Sequence, residues 1–144
     1  MKDLDLLTAH RQKMWTDLHP DWEDEVKKTA SATKKWIGEK LSEGVLVGFI
    51  VKDGDGKVAG SGCVWVREEQ PRPDNPRQVV PYIMSMYTEK EFRRRGVGKM
   101  VMNAAITWCR ENGYGRVVLH ASDQGKPLYE SFGFEPGREM RLTL

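Results

Sequence analysis

Arg93-Arg94-Arg95-Gly96-Val97-Gly98-Lys99 joins a β-rich stretch to an amphipathic helix, and its reading decides the fold. Gly96 and Gly98 remove Cβ atoms where a strand gives way to a helix. Backbone N–H groups there can converge on an anion, helped by the free donors and positive end of the helix starting near Gly98. Arg93, Arg94, Arg95 and Lys99 add positive potential. The turn suits a pyrophosphate, each charge-assisted hydrogen bond contributing roughly 1.5–3 kcal/mol. It is neither a G-x-x-x-x-G-K-[ST] loop nor a G-x-G-x-x-G fingerprint after a first parallel strand. Spacing alone leaves a solvated basic face as the alternative.

Downstream, Val97, Val101, Ala104, Ala105 and Trp108 fall at i, i+4, i+7, i+8 and i+11, which predicts a helix over about 98–112 with one apolar face. Asn112-Gly113 stops it. Arg116 to Ala121 reads as a short strand, Pro127 opens a short helix that Gly133 ends, and Phe134 to Leu144 reads as a closing strand or strands. Upstream, Val79 to Thr88 is a strand, preceded by a stiff Pro71-Arg72-Pro73-Asp74-Asn75-Pro76 connection. Val45 to Val51 and Lys57 to Arg67 form a hairpin about Asp53-Gly54-Asp55-Gly56. Two helices come first. One carries Leu4, Leu7, Met14, Trp15 and Leu18; the other runs from an Asp21 N-cap to about Leu41 with Val26, Ala30, Thr33, Ile37 and Leu41 inward. The order is ααβββ-αβ-αβ: an α/β (mixed α+β) domain over 1–144, with a mostly antiparallel mixed sheet and helices on both faces.

The 144 residues suffice for one core. A hydrophobic fraction of 39% and a charged fraction of 31% describe an ordinary globular chain, with no run near the roughly 18 apolar residues of a membrane span. Met1-Lys2-Asp3-Leu4-Asp5 shows no apolar secretory core, so a cytoplasmic location is expected. Cys63 and Cys109 lack metal or framework spacing and read as buried free thiols, with no metal site. A net charge of +2 is too balanced to argue for nucleic acid.

Arg93-x-x-Gly96-x-Gly98 resembles the [Q/R]-x-x-G-x-[G/A] signature of the GNAT superfamily of N-acetyltransferases. Leu119-His120-Ala121-Ser122-Asp123-Gln124-Gly125-Lys126-Pro127-Leu128-Tyr129-Glu130-Ser131-Phe132-Gly133-Phe134 is similar to that family's second half-site, typically A-x-x-LYE-x-x-GF. The resemblance implies an acetyl-CoA-dependent enzyme that moves an acetyl group to a primary amine of a small molecule or peptide by direct attack in a ternary complex. It implies that the cofactor pyrophosphate lies on the amides of Arg94, Arg95, Gly96, Val97, Gly98 and Lys99, beside Arg93. The pantetheine arm would pair with the strand at Met86, Tyr87 and Thr88, much as an added strand does. The N–H of Met86 would steady the thioester oxygen. Tyr129 would protonate the departing thiolate, the other reading of this residue being packing with Leu128 and Phe132.

Many members of the family carry an asparagine where Ala121-Ser122-Asp123 stands. Ser122 either bonds the pantetheine in its place or caps the last helix. The general base is open among Tyr82, Glu89, His120 and ordered water. Family position puts the acceptor against His19-Pro20-Asp21-Trp22-Glu23-Asp24-Glu25 and Pro71 to Arg77, where the acidic cluster either attracts a cationic amine or only starts a helix. Trp15, Trp22, Trp36 and Trp65 either line that pocket or pack as core. A non-catalytic acyl-CoA sensor is the alternative function. A nucleic-acid module built on Arg93, Arg94, Arg95, Arg110 and Arg116 lacks the interleaved aromatics such binders use. Neither nucleic acid nor membrane is an expected partner, and a homodimer is compatible with the sequence.

Overall fold

Helix α1 (Leu4–Leu18) and helix α2 (Glu23–Ser42) lie on one face of a four-stranded sheet of β1 (Leu46–Lys52), β2 (Val58–Glu68), β3 (Val79–Thr88) and β4 (Val118–Leu119). Helices α3 (Val97–Glu111) and α4 (Lys126–Ser131) cover the other. The computed structural model describes residues 3–144. The strands stand in chain order; β1–β2 and β2–β3 are antiparallel, whereas β3–β4 is parallel and pairs only Tyr82 with Val118 and Ile83 with Leu119.

Two cores follow from the alternation of the strands. On the α3 side Val64 and Ile83 pack against Met102, Ala105 and Cys109, with Leu128, Tyr129 and Phe132 closing the edge. On the α1 side Leu7, Ile37, Leu46 and Cys63 form a second cluster, flanked by Trp36 and Trp65 in edge-to-face contact at 5.0 Å. Fully buried Met102 contributes about 1.5–3 kcal/mol by leaving water.

Several expectations change. Asp21 is not the α2 N-cap: Pro20–Trp22 form a 3₁₀ turn, the cap position falls on Trp22, and Glu23, Asp24 and Glu25 make the acidic first turn. The predicted inner stripe of α2 buries only Ile37 fully. In α3, Ala104 is exposed and Met102 and Cys109 complete the inward face instead. The strand expected over Arg116 to Ala121 shrinks to Val118–Leu119. Phe134 to Leu144 forms no closing strand; beyond half-buried Phe134 the segment is exposed, Pro136-Gly137 interrupts it, and Met140 and Leu142 face solvent. With so short a β4, little ladder is offered for a further strand to extend.

Candidate active site

The site begins at an irregularity in β3. Ser61 pairs with Tyr87 and Cys63 with Met84, so Ser85 and Met86 together oppose the single residue Gly62. This is a β-bulge, and Ser85 takes a left-handed φ of 58°. The bulge breaks the alternation of the strand. Met84 and Ser85 both face α1, where Met84 joins the Leu7 cluster and Ser85 Oγ accepts a hydrogen bond of 2.8 Å from Arg11 Nη1. Ile83 and Met86 face α3. Past Ile83 the outer edge of β3 has no strand beside it among the described residues, because β4 has already parted from it. Met86, Tyr87 and Thr88 lie on that free edge.

The glycine-containing turn follows. Gly96 has φ 79° and occupies the N-cap of α3, a left-handed conformation that a glycine takes without the Cβ clash. Arg94 is also left-handed, at φ 63°. Among the described residues the amides of Arg94, Arg95, Gly96, Val97, Gly98 and Lys99 have no backbone acceptor; the first bond of the helix runs from Met100 N–H to Gly96 O at 3.1 Å. Val97 is buried and anchors the turn, whereas Arg94, Arg95 and Lys99 are exposed. Arg93 is held differently. Its Nη2 donates to Asp17 Oδ2 of α1 at 2.6 Å and its Nε to the Thr88 carbonyl at 3.0 Å, so the side chain braces the turn against the sheet.

Between the parted strands lies a cleft of about 590 Å³, lined by Arg11, Met14, Trp15, Met86, Ser122 and Tyr129 among others. It meets a second cleft of about 860 Å³, and Tyr82, His120, Ala121, Tyr129 and Arg141 border both. Tyr129 stands at this junction on α4. Its ring lies so close to Gly125 that a Cβ there would sit 2.8 Å from Cε2. Burial, with Tyr82 nearby, raises the Tyr129 phenol above its ordinary range. Ser122 closes the turn ahead of α4, whose N-cap is Gly125: its Oγ accepts from Gly125 N–H at 3.1 Å, and its carbonyl accepts from Lys126 N–H at 3.0 Å. Ser122 also lines the smaller cleft.

Of the three base candidates, the structure joins two. Tyr82 and His120 Nδ1 are 2.8 Å apart, and His120 Nε2 lies 3.1 Å from Glu139 Oε2. A carboxylate only accepts, so Nε2 carries the hydrogen and Nδ1 accepts from the Tyr82 hydroxyl. Burial raises the Tyr82 phenol despite the guanidiniums of Arg67, Arg11 and Arg141. Glu89 is elsewhere, bound to Lys13 at 2.7 Å and to buried His10 at 3.0 Å. The other ring nitrogen of His10, Nδ1, is 2.6 Å from Ser61 Oγ. His10 and Arg11 were not singled out from sequence. Their signal is a pair of polar residues between Leu7 and Met14, on the inward face of α1.

The expected acceptor wall also moves. Trp15, Leu18 and His19 line the smaller cleft, but Asp21, Trp22, Glu23, Asp24 and Glu25 do not. Trp22 instead stacks on His19 at 3.7 Å. Of Pro71 to Arg77 only Arg72 reaches the larger cleft. Both cysteines are free and buried, and burial pushes the Cys63 thiol up to about 12. Neither offers a thiolate as an acyl carrier.

A GCN5-related N-acetyltransferase from Ralstonia eutropha JMP134 has the same architecture, with a TM-score of 0.91 and 29% identity over 99% of this chain and 93% of that one. An acetyltransferase structure with acetyl-CoA from Clostridium acetobutylicum superposes with a TM-score of 0.82 at 23% identity, covering 100% of this chain and 91% of its own. Glucosamine 6-phosphate N-acetyltransferase from Trypanosoma brucei brucei is 29% identical over 90 residues, 62% of this chain and 59% of the relative. The chain thus spans somewhat over half the length of that curated relative. The acetyltransferase (GNAT) family model matches residues 8–134, taking in the bulged strand, the turn and Tyr129 alike, and the chain belongs to that family.

Proposed function

We propose that this acetyltransferase moves the acetyl group of acetyl-CoA to the primary amine of a small molecule by direct attack. One observation carries the reading: the β3 edge at Met86 to Thr88, with no strand beside it among the described residues, is followed after a 3₁₀ turn at Lys90–Phe92 by the uncommitted amides of Arg94 to Lys99. A ligand with an amide-bearing arm and a pyrophosphate matches both. The arm adds to the strand edge and the pyrophosphate takes the turn. Arg93, paired with Asp17, shapes the turn, and binding falls to the backbone with Arg94, Arg95 and Lys99 at its exposed rim.

The reacting carbonyl then lies by the bulge, where the Met86 N–H steadies the oxygen as charge develops. As the neutral amine attacks, its proton passes to the Tyr82 oxygen while the Tyr82 hydrogen passes to His120 Nδ1; Glu139 balances the imidazolium. When the C–S bond breaks, the Tyr129 phenol gives its proton to the sulfur. The raised phenol keeps that proton at neutral pH until a thiolate forms. The un-ionised cysteines support one transfer without a covalent enzyme intermediate. A small-molecule acceptor is supported by the trypanosomal relative, named for an amino sugar phosphate. The test is release of free CoA thiol from acetyl-CoA across amino acids, amino sugars, polyamines and peptide N-termini. Thiol release with none of these would defeat the reading.

A further inference from the structure

Three guanidiniums surround Tyr82 where the two clefts meet, and none has a carboxylate partner among the described residues. Arg11 reaches from α1 and is half-buried; its Nη1 is spent on the Ser85 hydroxyl, and its guanidinium lies 5.5 Å from the Trp15 ring centre. Arg67, from β2, sits 4.6 Å over the Tyr82 ring. Arg141, from the C-terminal segment, lines both clefts. The remaining charge acting on Tyr82 is Glu139, already bonded to His120. The other arginines nearby are neutralised, apart from exposed Arg138, which lines only the larger cleft and does not act on Tyr82. Arg93 has Asp17, Arg116 has Glu69 and Arg72 has Asp74.

An arginine withdrawn from water ordinarily has an anionic partner, because burial without one is costly. Arg11 has only a neutral hydroxyl and an aromatic face. Burial lowers its basicity, as expected of a guanidinium lacking a counter-charge. Two further unpaired guanidiniums on the same junction make a site of net positive charge beside the proposed proton path. Planar guanidinium donors match carboxylate and phosphate oxygens in paired geometry.

We infer that the acceptor amine carries an acid group, carboxylate or phosphate, which Arg11, Arg67 and Arg141 bind around Tyr82. The inference deepens the transferase reading and rests on it for the amine. The acid group fixes one end of the acceptor, so that the amine at the other meets the Tyr82 hydroxyl. The unpaired carboxylates of the larger cleft, Asp123 and Glu135, are exposed and do not act on Tyr82.

The test uses matched amines: phosphoethanolamine against ethanolamine, and phenylalanine against phenylalaninamide. Binding to the CoA-saturated protein is followed by tryptophan fluorescence, with Trp15 beneath Arg11 as reporter, and transfer by thiol release. At least one acidic member is expected to bind and react at least tenfold better than its neutral counterpart. The pair that shows the preference tells phosphate from carboxylate. Arg11→Gln and Arg141→Gln should each raise KM for that acidic amine roughly tenfold more than for its neutral counterpart. Arg67→Gln, on a separate strand, is the check against misfolding of either. Equal or better use of the neutral amines, no binding of any amine, or variants that weaken both members alike would overturn the inference. Acid-selective binding without thiol release would keep the anion site and defeat the transferase reading; unselective transfer would do the reverse.

Discussion

The Tyr82 hydroxyl and His120 Nδ1 lie 2.8 Å apart beside the short pairing of β3 with β4, and both residues border the two clefts. Tyr82 brings a phenol that burial holds protonated, and His120 brings a lone pair fixed by Glu139. Removing the Tyr82 oxygen should therefore break the proton path while sparing acetyl-CoA binding. Tyr82→Phe is expected to lower kcat about 100-fold with KM for acetyl-CoA within about twofold, read by steady-state thiol release. An unchanged kcat would take Tyr82 out of the path.

Tyr129→Phe tests the other proton. On the alkaline side the wild-type rate should decline only above about pH 10, because burial places the phenol above its usual value. The variant should lose about 100-fold in kcat and should lose that alkaline decline with it. A profile identical to the wild type would return Tyr129 to a packing role.

Gly96→Ala forces a side chain into φ 79°. The strain is roughly 1–2 kcal/mol, and the turn can relieve it only by moving the amides that take the pyrophosphate. Calorimetric titration with CoA should show about tenfold weaker binding, with a smaller loss of thermal stability. Arg93→Ala should act in a related way by freeing Asp17, and Asp17→Ala should reproduce it. Undiminished CoA affinity in Gly96→Ala would place the pyrophosphate elsewhere.

Stability should depend on pH through His10. Burial lowers its pKa below the ordinary 6.5, although Glu89 opposes the shift. The unfolded chain therefore takes up a proton near pH 6.5 that the folded chain refuses until lower pH. Folding stability is full above about 6.5 and falls as pH drops through that value, by up to about 1.4 kcal/mol per pH unit. Glu89 adds a loss at lower pH still. Burial pushes its pKa up, but its bonds to Lys13 and His10 hold it below 4.5, so its contribution is present above 4.5 and disappears below. Urea midpoints from pH 8 to 4.5 should show this slope, and His10→Asn should flatten the part that begins below about 6.5. His10→Ala should cost roughly 2–4 kcal/mol by leaving Ser61 and a cavity unfilled. A pH-independent midpoint would contradict the buried neutral imidazole.

Much of the fold was legible because period and punctuation agreed. The hairpin about Asp53 to Gly56 is closed by Asp53 N–H on the Lys57 carbonyl at 2.8 Å, and the β1 and β2 boundaries fall within a residue or so of those expected. The segment from Phe134 misled because Met140, Leu142 and Leu144 alternate like a strand, yet no neighbouring edge takes them up. In the candidate site, local spacing offered the turn amides as an anion site, and Tyr129 came from the resemblance of 119–134 to the family's second half-site. Arg11, Ser85 and Arg141 could be placed by neither, since only tertiary packing brings α1, the bulge and the tail together. Nothing in Ile83-Met84-Ser85-Met86 announces which residue will turn left-handed.

The bulge at Ser85 divides one strand into two instruments. Ahead of it, Tyr82 and Met84 line the cleft proposed for the amine; after it, Met86 to Thr88 lie on the edge proposed for the acyl donor. The two stretches are out of phase by one side chain, so a substitution at Tyr82 or Met84 leaves the donor's backbone contacts in register. In the proposed arrangement, side-chain substitutions can change acceptor choice while donor recognition, written in amides, stays fixed.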